Sequence, residues 1–242
     1  MSAIQFPLPD SRVEARTIPM ETPVDLKLDA NECGPSPVSD ERLDFARYPD
    51  RSGVEAVIAA RAGVDPARIV ATAGADDAID RTFRTVLAPG SIVVVTDPTF
   101  PMFERFAREC GAEVRAVPWE SGPLPVGELI DAADDAAAIV IATPNNPTGA
   151  VASPGEIAAL RAAAPDPILM VDLAYADFDD LKPDGPAEPA LADWCRWMPR
   201  TVMLRTLSKA WGLAGLRVGW AEADPETIRG LRSEEHTSEL QS

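Results

Sequence analysis

A lysine in segment 201–220, TVMLRTLSKAWGLAGLRVGW, stands where it could do chemistry. Lys209 follows an apolar run and precedes Gly212 and Gly215, which would let the backbone approach a ligand closely. A partly desolvated lysine has a lowered pKa, and the neutral amine can form a Schiff base with an aldehyde. A solvated surface charge is the ordinary alternative for such a residue.

Two side chains that follow another apolar run could support this amine. Asp172 ends the run PILMVD, and a carboxylate at the tip of a buried strand needs a cationic or donor partner, such as a protonated pyridine nitrogen. Tyr175 lies three residues on and could hydrogen-bond a ring oxygen. The structural alternatives are a helix N-cap for Asp172 and half-buried packing for Tyr175.

The segment TAGADD predicts an anion site. A helix that begins near Ala75 would present unpaired N–H groups and the positive end of its dipole, and Asp76 would lie in that first turn. Asp76 and Asp77 could instead be negative charges that complement the helix dipole.

Further residues could complete a site for a planar, anionic ligand. The hydroxyls of Thr206 and Ser208 and the guanidinium of Arg217 could bind the anion. Phe100, in DPTFPMF, could stack on a ring, and Asn146, in NNPTG, could direct its amide at a ring hydroxyl. Core packing for Phe100 and turn formation for Asn146 are the alternatives. Taken together, the residues describe a site for pyridoxal 5'-phosphate, a cofactor that acts as an electron sink.

Alternating apolar and Ala-rich segments predict the framework that positions these residues. Near-continuous Val and Ile runs are typical of strands buried on both faces, so we predict an α/β fold with a mostly parallel seven-stranded sheet and helices on both faces. Ligands bind at the carboxyl ends of such strands, where the candidate motifs fall. Segment 180–199 is predicted to be irregular with one short helix. The predicted strands are 68–73, 91–97, 112–118, 137–143, 167–172, 201–206 and 216–223, and the predicted helices are 53–62, 75–88, 101–110, 126–133, 154–164 and 225–231.

Composition narrows the class of protein. Apolar residues make up 46% of the 242, enough for a sizeable core, and the formal net charge of -17 disfavours nucleic acid and anionic membranes as partners. The sequence contains no apolar run of about 18 residues that would predict a transmembrane helix. Three cysteines without a CxxC pair fit reduced thiols in a cytoplasmic protein, and no metal site is predicted.

The last residues, RSEEHTSELQS, match the translation of a common sequencing adapter. We therefore expect 232–242 to be an artefactual tail and the natural chain to continue past Leu231. The only histidine, His236, lies in this tail, so no catalytic histidine is expected. The predicted domains are an N-terminal arm with part of a small domain at 1–45 and a truncated cofactor-binding large domain at 46–231, with the small C-terminal domain missing.

Several motifs resemble one family. DLKLDANECGPSP (25–37), ARYPD (46–50), TPNNPTG and RTLSKAWGLAGLRVGW (205–220) are similar to those of the fold-type I, class I/II aminotransferases that use pyridoxal phosphate, and most closely to the branch that acts on histidinol phosphate. The resemblance implies that Lys209 binds the cofactor aldehyde and moves a proton, and that Asp172 pairs with the pyridinium nitrogen. Tyr175 and Asn146 would contact the ring hydroxyl oxygen, and Phe100 would stack on the ring. The phosphate would be bound by Ala75, Asp76, Thr206, Ser208 and Arg217.

The resemblance also implies a homodimer and a reaction. Tyr48 would reach the phosphate of the neighbouring subunit, and Asn31 would lie near the substrate. Leu173 stands where the family often has Glu. The arginine that binds the substrate carboxylate would lie beyond the end of the chain, so we expect these 242 residues alone to be inactive or very weak.

The implied reaction is transamination between histidinol phosphate and 2-oxoglutarate in histidine biosynthesis. Relatives with a similar cofactor site act on aromatic amino acids or decarboxylate threonine phosphate, so these activities stay open. A different class of function is a non-catalytic module that binds a small anion, or an inactive fragment.

Overall fold

Seven strands form one sheet in the computed structural model, which describes residues 51–181 and 191–239, with side chains for 51–178 and 191–233. Every residue of β1 and β5 is buried, as expected for strands covered on both faces. The predicted fold class is confirmed. The strands are β1 (Ile69–Thr72), β2 (Ile92–Asp97), β3 (Glu113–Pro118), β4 (Ala136–Ala142), β5 (Ile168–Asp172), β6 (Thr201–Thr206) and β7 (Gly219–Glu222).

The strand order across the sheet is β1-β7-β6-β5-β4-β2-β3. Neighbours from β3 to β6 are parallel, whereas β7 runs antiparallel to both β6 and β1. The connection 207–218 between β6 and β7 contains only a 3₁₀ turn, too little for the crossover that a parallel neighbour requires. The carboxyl ends of β1, β2, β4, β5 and β6 therefore meet at one edge of the sheet.

The start of β7 corrects the sequence prediction. A strand was expected over 216–223, but Ala214–Leu216 forms a 3₁₀ turn and the strand begins at Gly219. Arg217 adopts a left-handed conformation with φ of 51°, which a β-strand cannot continue through. The link before β7 is thus bent back over the carboxyl edge of the sheet.

Seven helices pack on the sheet within the described part of the chain. Helix α5 begins with a capping box, in which the Ser153 and Glu156 side chains each bond to the other's backbone N–H. Helix α7 continues beyond the predicted end at residue 231, and α6 is the short helix expected within 180–199, of which 182–190 lie outside the described residues. The helices are α1 (Ser52–Ala62), α2 (Ala75–Val86), α3 (Met102–Glu109), α4 (Val126–Ala132), α5 (Pro154–Ala163), α6 (Leu191–Cys195) and α7 (Pro225–Glu239).

Apolar clusters cover both faces of the sheet. On one face, Val93 and Val95 of β2 join a cluster with Phe83 of α2, whereas Val94 between them joins a cluster with Leu160 of α5 on the other face. Helices α2, α3 and α7 contribute to the first cluster, and α4, α5 and α6 contribute to the second. Among the described residues, no helix is both long and apolar enough to cross a bilayer.

Candidate active site

The anion end of the candidate site is the start of α2. Gly74 precedes the helix with φ of 88°, a conformation that favours glycine, and its carbonyl accepts a hydrogen bond from Thr72 Oγ1 at 2.8 Å. Ala75 and Asp76 form the first turn, as predicted. Asp77 Oδ2 accepts the Ala73 N–H at 2.8 Å and pairs with a helix arginine, so Asp77 acts as a local cap.

Arg217 lies over this helix start. Its Nη2 donates to the Ala73 carbonyl at 3.4 Å and lies 3.7 Å from Asp76 Oδ2, while about half of the side chain, 52%, remains exposed. A Cβ built on Gly74 would come within 2.7 Å of the same nitrogen. The absence of a side chain at Gly74 therefore lets a guanidinium approach the positive end of α2, which makes the region suitable for an anion.

Gly219 explains how the hydroxyl-bearing loop reaches this region. In the sheet register, Gly219 stands between Thr72 at the end of β1 and Thr206 at the end of β6. A Cβ at Gly219 would lie 2.5 Å from the Gly74 carbonyl carbon and 2.8 Å from the Arg205 carbonyl oxygen. Real Cβ atoms do not approach backbone atoms so closely. Only glycine therefore allows β7 to begin between the ends of β1 and β6.

Thr206 and Ser208 are both buried and lie together. Thr206 Oγ1 is 3.0 Å from Ser208 Oγ and accepts the Ser208 N–H at 3.1 Å. The structure thus brings the two predicted hydroxyls together at the carboxyl end of β6, with Ser208 one residue before Lys209.

The carboxylate of Asp172 is the most strongly perturbed acid at this edge. Only 7% of the residue is exposed, and burial raises its pKa from 3.8 to about 6. The negative charge of Asp76 also raises the pKa, whereas the Ala174 N–H, which donates to Oδ1 at 2.9 Å, and the Lys209 ammonium lower it. Asp172 is therefore an acid that would gain from a further cationic partner.

Lys209 and Tyr175 face each other across the ends of neighbouring strands. The Lys209 Nζ lies 5.6 Å from the centre of the Tyr175 ring, and both residues are half-buried. Tyr175 follows β5 and Lys209 follows β6, so the parallel pairing of these strands sets their separation. Lys209, Tyr175 and Asp172, the three residues predicted to be catalytic, thus lie at the carboxyl ends of the neighbouring strands β5 and β6.

Phe100 and Asn146 lie on the loops that follow β2 and β4. Phe100 is half-buried and packs edge-on against Phe103, with ring centres 5.7 Å apart, so it also serves the core. Asn146 is half-buried in its turn. Sequence reasoning missed Asn145, which is buried, accepts from Thr99 Oγ1 at 2.9 Å and donates to the Pro98 carbonyl at 2.8 Å. Asn145 joins the two loops, a contact between separate segments that the NNPTG pattern does not indicate.

Two predicted residues, Tyr48 and Asn31, lie outside the described residues. The others occupy one edge of the sheet, in the order of the strands that carry them. Along this edge, the start of α2 with Arg217 comes first, and the hydroxyls of Thr206 and Ser208 follow. The Lys209 amine and the Tyr175 phenol come next, and then the buried acid Asp172. Such a sequence of groups suits a planar ligand with an anion at one end and a cationic nitrogen at the other.

Comparison with known proteins identifies the family. The profile of the family described as aminotransferase class I and II matches residues 25–237. This chain belongs to the class I and II aminotransferases. Its aminotransferase relatives include the histidinol-phosphate aminotransferase of Granulibacter bethesdensis, which is 37% identical over 214 residues, or 84% of this chain and 57% of that protein. The chain thus spans little more than half the length of that relative.

Solved structures of aminotransferases share the fold. Histidinol-phosphate aminotransferase from Sinorhizobium meliloti, solved in complex with pyridoxal-5'-phosphate, matches with a TM-score of 0.67 and 26% identity over 77% of this chain and 51% of that one. N-succinyldiaminopimelate aminotransferase from Mycobacterium tuberculosis matches with a TM-score of 0.67 and 28% identity over 78% and 53%. The α/β sheet with helices on both faces is therefore an aminotransferase fold.

Proposed function

We propose that this protein is a pyridoxal-phosphate-dependent aminotransferase that transfers an amino group between histidinol phosphate and 2-oxoglutarate. The observation that carries the proposal is the Lys209 amine, 5.6 Å from the centre of the Tyr175 ring, on the strand edge that also holds the buried acid Asp172 and the start of α2. The relative that is 37% identical and named histidinol-phosphate aminotransferase supports the choice of substrate.

The residues fit the cofactor at its nitrogen end. A buried carboxylate is unfavourable unless a cation or donor accompanies it, and burial accordingly raises the pKa of Asp172. A protonated ring nitrogen beside Asp172 would offset this cost and would in turn be kept protonated by the carboxylate.

The residues also fit at the phosphate end. The chain is strongly acidic, with a net charge of -17, so a phosphate needs a local site that overrides the overall field. The first N–H groups of α2, the guanidinium of Arg217 and the hydroxyls of Thr206 and Ser208 supply such a site. Ala75 and Asp76 stand in the first turn of this helix.

Each side chain then has a defined task. Pyridoxal phosphate, when bound, supplies an aldehyde for covalent capture and a ring that accepts electrons. Lys209 would hold the aldehyde carbon through Nζ, with loss of water, and, once the substrate amine has displaced Nζ, would carry a proton on that atom to and from the substrate carbon. Asp172 would hold the ring-nitrogen proton, Tyr175 and Asn146 would orient the ring hydroxyl, and Phe100 would cover one ring face.

The assembly and location of the whole protein belong to the same proposal. We propose a cytoplasmic homodimer in which Tyr48 contacts the phosphate bound by the neighbouring subunit, and in which Asn31 lies near the substrate. Both residues fall in motifs that resemble those of the family.

The test follows the visible absorbance of the lysine-bound cofactor in the full-length gene product. Histidinol phosphate, glutamate, phenylalanine and N-succinyldiaminopimelate are each added as amino donor, and pyridoxamine phosphate is measured as product. We expect histidinol phosphate to be the fastest donor apart from glutamate. If phenylalanine or N-succinyldiaminopimelate reacts about tenfold faster than histidinol phosphate, the proposed substrate is wrong while the reaction class stands. A folded protein without the absorbance band would instead be an anion-binding module.

A further inference from the structure

Asp177 holds both ends of the segment that carries the reactive lysine. Its Oδ1 accepts a hydrogen bond from Arg205 Nη2 at 2.6 Å, and its Oδ2 accepts one from the indole Nε1 of Trp211 at 3.0 Å. Arg205 lies just before the hydroxyl pair at the end of β6, and Trp211 lies two residues after Lys209. One carboxylate thus closes the loop 205–211 on itself.

The same carboxylate connects this loop to the loop after β5. Asp177 lies two residues after Tyr175, in the 3₁₀ turn Ala176–Leu181 that follows β5 after three residues. The Asp177 and Arg205 side chains are only 22% and 19% exposed, so their ion pair is shielded from water more than an ordinary surface pair. Asp177 therefore joins the phenol-bearing loop to the lysine-bearing loop.

Both partners of Asp177 are also held from a second side. The guanidinium of Arg205 lies 5.5 Å from the centre of the Trp220 ring, which belongs to β7. The Trp211 ring has the Arg61 guanidinium 4.4 Å from its centre. These cation–π contacts restrict the two donors, so that Asp177 binds groups that are already oriented.

We propose that Asp177 is a positioning residue that sets where the Lys209 amine stands relative to Tyr175 and Asp172. The proposal rests on the proposed function, because it assigns Asp177 to the capture of the cofactor aldehyde by Lys209. Asp177 itself does not touch the reacting atoms. Its effect passes through the loop 205–211, whose two ends it fixes. The competing explanation is a tie that stabilises the fold without affecting the lysine.

The test compares two variants with a matched control. In Asp177→Asn the amide has a single acceptor oxygen, so it can keep only one of the two hydrogen bonds. In Trp211→Phe the indole N–H is lost, but the ion pair with Arg205 remains. The control is Asp80→Asn, which breaks the Asp80–Arg84 pair on α2. This pair is 2.8 Å long, its Arg84 side chain is 53% exposed, and it is remote from the lysine loop in sequence.

Each variant of the 242-residue chain is titrated with pyridoxal phosphate under conditions in which circular dichroism shows it to be folded. The Kd of the cofactor, the rate at which the visible band forms and the pH midpoint of that band are measured. We expect Asp177→Asn to raise the Kd and slow band formation about tenfold, the change that corresponds to losing one hydrogen bond to a charged group. We also expect Asp177→Asn to move the pH at which half of the visible band is present. Trp211→Phe should shift all three quantities in the same direction by less, and Asp80→Asn should leave them unchanged.

The proposal is overturned if Asp177→Asn lowers only the thermal midpoint and keeps the Kd, the rate and the pH midpoint of the parent chain. If Asp177→Asn does not fold, Trp211→Phe decides the question on the same three quantities. Lys209→Ala is run in parallel, since a parent chain that forms no lysine-dependent band refutes the proposed function and, with it, the positioning role. A band that Lys209→Ala abolishes but the other variants leave unchanged refutes the positioning role alone.

Discussion

Replacing Asp172 with asparagine should stabilise the cofactor-free protein at neutral pH. The wild-type carboxylate lies at the buried end of β5, where desolvation raises its pKa from 3.8 to about 6. Asparagine removes the ionisable group but keeps an Oδ1 that can accept the Ala174 N–H, which now donates to Asp172 at 2.9 Å. The substitution therefore isolates the cost of burying a charge.

The size of the effect follows from the pKa shift. The difference of about 2.2 units between 6 and 3.8 corresponds to about 3 kcal/mol of unfolding free energy. Because the pKa of Asp172 is higher in the folded state, its contribution to stability is fully present below pH 3.8 and is lost as the pH rises through 6. About 1.4 kcal/mol of this change should fall between pH 5 and pH 8.

The assay is urea unfolding of the cofactor-free chain and of Asp172→Asn at several pH values from 5 to 8. The stability of the variant relative to the parent should rise by about 1.4 kcal/mol from the acid to the alkaline end. Asp80→Asn serves as control, and its stability relative to the parent should not show this rise between pH 5 and pH 8. A stability difference between Asp172→Asn and the parent that stays constant within about 0.5 kcal/mol across this range would refute the buried-acid interpretation.

Three further predictions address the phosphate end of the site and the extent of the chain. Arg217→Ala should raise the Kd for pyridoxal phosphate about tenfold but leave binding of pyridoxal, which lacks the phosphate, unchanged in parallel titrations; an equal loss for both ligands would place Arg217 elsewhere. Gly219→Ala should lower the unfolding free energy by about 1–3 kcal/mol in urea, because its Cβ would meet the Gly74 backbone, and unchanged stability would contradict this packing. The 242-residue chain, which spans 57% of the relative's length, should bind the cofactor yet transaminate on the order of a hundredfold more slowly than the full-length gene product, because the arginine expected to bind the substrate carboxylate would be missing. Equal rates in a coupled glutamate assay would overturn that last expectation.

Most of the sheet was predictable because its strands, apart from the edge strand β3, are largely buried. Apolar runs located β1, β2, β4, β5 and β6 to within about two residues, and the motifs after those runs located the carboxyl edge. The start of β7 was predicted wrongly because periodicity does not report a single left-handed residue such as Arg217. The antiparallel direction of β7 follows from the short connection 207–218. Predicting that direction depends on the length of the connection rather than on a hydrophobic pattern.

The site was predictable in its chemical groups but not in its supports. Lys209, Asp172 and Tyr175 stand at strand ends, and strand ends can be located from sequence. The residues that hold the loops in place, Asn145 and Asp177, act through hydrogen bonds that depend on where two separate loops meet in space. No local pattern specifies such a meeting, so these contacts emerged only from the structure. The roles assigned to the predicted site residues stay predictions.

The central claim is that the Nζ of Lys209 captures pyridoxal phosphate, and one measurement tests it directly. The chain is mixed with the cofactor, reduced with borohydride and digested, and the peptides are analysed by mass spectrometry. The account predicts a single modified peptide, with the reduced cofactor attached at Lys209, and no such peptide from Lys209→Ala. Modification spread over other lysines, or none in a folded chain, would contradict the account.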